Sequence, residues 1–127
     1  MDIGDANILF GWVWMCLGFI FGMTLGLWSD GETWLGGYVS VTRRYLRLGH
    51  VAFIALPIIN ILYGKELASV ELDNTVKYIG SYMMIFGAVG IPIICISAAF
   101  IRKTRYFLTL PALAILIGTI ILVIGLL

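Results

Sequence analysis

The stretch ILFGWVWMCLGFIFGMTLGLW, residues 8–28, decides how the chain is read. It holds no Asp, Glu, Lys or Arg, and a helix needs roughly 20 apolar residues to cross a hydrocarbon core of about 30 Å. Three more runs answer the same description: Leu46 to Tyr63, Tyr78 to Ile101 and Tyr106 to Leu127. Their only charged residue is Arg47, in the first turn of the second run. The expectation is an all-α integral membrane protein, a single four-helix transmembrane domain over residues 1–127 with helices at about 8–28, 46–63, 78–101 and 106–127. Short tails and loops then leave no room for a soluble domain.

Composition agrees. The chain is 61% hydrophobic and 12% charged, with a mean hydropathy of +1.06, whereas a soluble domain carries about 25% charged residues. A soluble enzyme and a disordered tail are excluded. A net charge of +1 supplies no footprint for nucleic acid. The expected partners are the lipid bilayer and other membrane protein subunits or a second copy of the chain.

Cytoplasmic loops carry an excess of Lys and Arg. Arg43, Arg44 and Arg47 flank the start of the second span, and Arg102, Lys103 and Arg105 fill the turn between the third and fourth. Only Lys65 and Lys77 stand opposite. This partition places both termini on the outer, non-cytoplasmic side of a bilayer, read as a bacterial inner (cytoplasmic) membrane. The chain opens with Asp2 and Asp5 rather than a basic stretch, unlike a cleaved signal peptide. Trp and Tyr residues at the span boundaries suit headgroup belts.

Among the connections, Ser29 to Tyr45 is the longest, and its Trp34-Leu-Gly-Gly-Tyr38 core suits an interfacial anchor or a seat for a partner. Lys65 to Val76 reads as a loop with one amphipathic turn, and Arg102 to Arg105 as a tight basic hairpin. No internal repeat is visible.

Helices in lipid associate through small residues and interhelical hydrogen bonds. Gly18, Gly22 and Gly26, with Gly11 upstream, form a tandem GxxxG groove that serves either the chain's own packing or another subunit. Pro111, Ala114, Gly118 and Gly125 make a second small stripe, and Gly80, Gly87, Gly90 and Pro92 thin the third helix.

His50, Phe53, Pro57, Asn60 and Gly64 recur at helical spacing, so they share one face of the second helix. Polar residues in a span turn inward. Pro57 also frees the carbonyl of Phe53, which then seeks a donor. Counting from helix midpoints at about 1.5 Å per residue puts His50, Met23 and Cys95 at one depth. His50 and Met23 are thus the candidate cofactor-binding residues, since His with Met is an axial pair for haem iron and a His can bond a quinone carbonyl. Against haem b stands the single histidine, and neither CxxC nor CxxCH occurs. The depth count also separates Cys16 from Cys95, which are expected to be free, buried thiols.

No catalytic residues and no metal ligands assemble: every Asp and Glu lies in a tail or loop, and no acidic or lysine relay crosses the spans. The chain is therefore expected to be non-catalytic on its own, a small multi-pass subunit with a structural or accessory role in a larger membrane complex of respiratory or electron-transport type. The alternatives are a redox subunit contacting haem b or quinone through His50, and a facilitator for a small uncharged solute.

Overall fold

Each apolar run forms a helix, and a left-handed glycine or a capping side chain sets the start of the first three. The computed structural model describes residues 1–127, with helices α1 (Asp5–Trp28), α2 (Val41–Ser69), α3 (Asn74–Phe100) and α4 (Thr109–Leu126). Short 3-10 segments occupy Trp34–Gly36 and Arg102–Leu108. The chain is all-helical, and four helices are long and apolar enough to cross a membrane.

Hydropathy marks the part of a helix that lipid covers, and caps mark where the helix ends. α2 starts at Val41, well before Leu46, because Ser40 caps it by accepting from the backbone N–H of Arg43 at 3.2 Å. It also runs on past Tyr63 through Lys65 and Glu66, residues that favour helix. The expected loop from Lys65 to Val76 therefore shrinks to residues 70–73. Asp73 then caps α3 by accepting from Thr75 N at 2.8 Å. At the last connection the basic hairpin continues as 3-10 helix to Leu108, and α4 begins three residues after the expected Tyr106.

The helices pack in chain order. α1 lies on α2, α2 on α3 and α3 on α4, whereas α1 and α4 do not touch. Consequently 39% of the apolar window of α2 and of α3 is buried, against 17% for the edge helices. The chain termini and residues 70–73 share one end, called here the terminal end. The Trp34 loop and the six clustered Arg and Lys residues share the other, the basic end. Tyr63, Leu67, Val70 and Met84 form the buried apolar cluster toward the terminal end.

Small residues set the close approaches, and they do so within the chain. A Cβ added to Gly18 would lie 2.6 Å from the Phe53 carbonyl oxygen, and one at Gly11 2.7 Å from that of Pro57. On the far side a Cβ at Gly87 would come within 2.8 Å of the Pro111 carbonyl oxygen, and one at Gly118 within 2.8 Å of Met84 Sδ. Gly26 alone of the first helix's stripe has open space beside it.

Candidate functional site

Two polar constellations sit between the helices, one toward each end. Toward the terminal end, Asn7 of α1, Asn60 of α2 and Ser81 of α3 are buried together, both asparagines with no exposed surface. Asn7 Nδ2 donates to Asn60 Oδ1 at 2.9 Å and to the Ser81 carbonyl at 3.3 Å. Asn60 Nδ2 donates to the carbonyls of Leu56 at 3.1 Å and Met84 at 3.2 Å. The Ser81 hydroxyl closes the set by donating to Asn7 Oδ1. Every side-chain donor is used, so the trio ties three helices together and leaves nothing for a ligand.

A further tie follows from Pro92. Its ring removes the N–H that would bond the Ala88 carbonyl, and Trp14 Nε1 donates to that oxygen instead, at 3.0 Å across from α1. The indole is held by stacking on Phe10 at 5.6 Å and Phe53 at 4.9 Å between ring centroids. The carbonyl that Pro57 frees, on Phe53, meets no side-chain donor; it faces Gly18, whose missing side chain leaves it room.

The basic end is built differently. Leu35, Gly36 and Gly37 all have positive φ, of 48°, 86° and 92°, and for Leu35 this left-handed backbone costs about 1–2 kcal/mol. The turn brings Trp34 and Tyr38 back over the start of α2. Arg43 lies 5.5 Å from the Trp34 ring centroid, and its guanidinium donates to the carbonyls of Ser29 at 3.3 Å and Gly31 at 3.4 Å. Arg47 sits 4.2 Å over the Tyr38 ring and donates to the Tyr38 carbonyl at 3.0 Å. These residues surround a recess of about 210 Å³ that His50 and Gly26 also line.

His50 is half-buried, 6.3 Å from Phe21 between ring centroids, in space that Gly22 leaves free. Its Nδ1 is enclosed with no hydrogen-bond partner, a condition shared in this chain only with the Tyr63 hydroxyl. The structure does not bring Met23 to it. Met23 is 63% exposed and lies outside the recess, because one residue beyond Gly22 is about 100° round the helix. Cys95 is buried where α3 meets Gly49 of α2. Cys16 is also free, but exposed rather than buried as its sequence position had led us to expect.

Sequence reasoning found His50 and Asn60 through their shared helix face. It missed Asn7, which precedes the apolar run, and Ser81 and Trp14, whose partners lie 74 residues away. The signal for Trp14 was present in Pro92, whose freed carbonyl calls for a donor as that of Pro57 does. No family model, curated protein or solved structure matches the chain.

Proposed function

We propose that the chain is a small multi-pass membrane subunit with a structural, non-catalytic role in a larger membrane complex of respiratory or electron-transport type. The observation that supports this is the open arrangement of the helices: α1 and α4 are edges that never meet, each mostly uncovered by the chain itself. The glycine groove of the first helix does not contribute to that surface, since Gly11, Gly18 and Gly22 are filled by α2. A partner would meet large side chains such as Phe19 on α1 and Leu116 on α4, both exposed. The proposed setting is a bacterial inner membrane, and the orientation with both termini outside draws support from six basic residues gathered at one end.

Photo-crosslinkers placed at Phe19 and Leu116 in native membranes test the accessory role. Protein adducts at one or both positions are expected. Lipid adducts alone at both, with a monomer in mild detergent, would defeat it. For orientation, Gly31→Cys and Ala68→Cys in a Cys16→Ser background should differ, with only the second labelled by an impermeant reagent in intact cells.

The imidazole of His50, which lines the recess and makes no hydrogen bond within the chain, favours one second reading, a redox subunit. A recess of about 210 Å³ lies below the roughly 300–1,000 Å³ of most cofactor sites, so a quinone head fits this reading better than haem b. Loss of a quinone that co-purifies with the chain in His50→Ala would support it. The facilitator reading gains no support, because Leu67, Met84, Asn7, Asn60, Pro57 and Pro92 fill the middle of the helix layer, each under 2% exposed.

A further inference from the structure

α2 carries Arg43, Arg47 and His50 at steps of four and three residues, which aligns them on one helix face. At about 1.5 Å per residue, the two arginines start about 10 and 5 Å nearer the helix end than His50. All three line the recess that the Trp34–Tyr38 turn closes over.

The guanidinium groups are fixed before any ligand arrives. Ring faces and backbone carbonyls hold them, and none of the partners is a carboxylate. Asp30 and Glu32 lie in the same loop, both exposed. A guanidinium has more N–H donors than these bonds occupy, and its planar fork matches two oxygens of one phosphate. Below the arginines, the enclosed Nδ1 of His50 leaves Nε2 as the nitrogen that a ligand in the recess would meet. Leu25 and Leu46 add apolar wall.

From water inward, a phospholipid presents phosphate, then glycerol ester, then acyl chain. The recess matches the first two in the same sense, paired arginines and then, about 5–10 Å deeper, an imidazole, while Leu25 and Leu46 wall it at the level of the arginines. We propose that it holds the headgroup region of one anionic phospholipid, with the phosphate on Arg43 and Arg47 and an ester carbonyl accepting from His50 Nε2. The fixed guanidinium pair and the unpartnered imidazole carry this assignment beyond general attraction of a basic end to an anionic membrane surface.

Native mass spectrometry of the full chain in mild detergent tests it, with phosphatidylglycerol, phosphatidylcholine, ubiquinone and inorganic phosphate each titrated. Phosphatidylglycerol should be retained about 25-fold more than phosphatidylcholine, about fivefold for each of two arginine contacts, and inorganic phosphate should not displace it. Gly26→Leu is the decisive variant: an added Cβ there meets nothing within 4 Å, so the fold stands while the recess fills, and the preference should vanish. Arg43→Gln and Arg47→Gln should each lower retention about fivefold. Arg44→Gln, on the same helix but outside the recess, should leave it unchanged. Undiminished retention in Gly26→Leu overturns the proposal. Displacement by ubiquinone or by inorganic phosphate at equal concentration also overturns it, by assigning the recess to a quinone or to a free anion.

Discussion

The terminal end and the basic end of this helix layer both bury polar side chains, yet they balance them in opposite ways. Asn7, Asn60 and Ser81 satisfy one another and two backbone carbonyls completely. His50, on the same face of α2, satisfies nothing with its Nδ1, and its neighbours Arg43 and Arg47 rest on rings and carbonyls. A closed polar set stabilises a fold, because lipid offers no substitute for a lost partner. An open one beside a recess is available to something that arrives from outside the chain. Burial alone therefore does not mark a site; unspent hydrogen-bonding capacity beside a recess does, whereas the equally unpartnered Tyr63 hydroxyl lines no recess.

Three substitutions sharpen that contrast. The largest effect belongs to Asn60→Ala, which removes one acceptor from Asn7 Nδ2 and the amide that joins α2 to the Met84 carbonyl; unfolding in detergent should lose about 2–3 kcal/mol. Next comes Trp14→Phe, which keeps the stacking and removes the donor to the Ala88 carbonyl, at a cost of about 1–2 kcal/mol. The same change made in a Pro92→Ala background should cost about 1 kcal/mol less, because the restored backbone N–H takes over that oxygen. Smallest is His50→Leu, where deleting an enclosed, unpartnered nitrogen should leave stability within about 1 kcal/mol of the parent, or raise it. A loss from His50→Leu as large as that from Asn60→Ala would erase the distinction between the two ends.

The four spans were legible in the sequence because about 20 apolar residues in a row leave no alternative environment. Their ends were less so: Ser40 and Asp73 begin α2 and α3 by single hydrogen bonds that hydropathy does not register. The inward face of α2 was legible from spacing, and with it His50 and Asn60. Depth counting set Met23 level with His50, but height along a helix says nothing of angle, and Met23 turns to exposed surface while Gly22 meets the imidazole. The trio at the terminal end was hidden because Asn7 and Asn60 are 53 residues apart and only the packing of three helices joins them to Ser81. The recess was half visible. Its aromatic and glycine residues stood out, whereas the stacking of Arg43 and Arg47 on Trp34 and Tyr38 depends on three successive positive-φ residues that no pattern announced.

The division of labour between the two ends is tested most directly by temperature-ramped native mass spectrometry of the parent, Asn60→Ala and His50→Leu, which reads unfolding and bound small molecules in one spectrum. The account predicts that Asn60→Ala unfolds at a markedly lower temperature while its folded fraction keeps whatever the parent holds. His50→Leu should instead unfold with the parent and lose that bound molecule. Early unfolding of His50→Leu with its bound molecule retained would contradict the account.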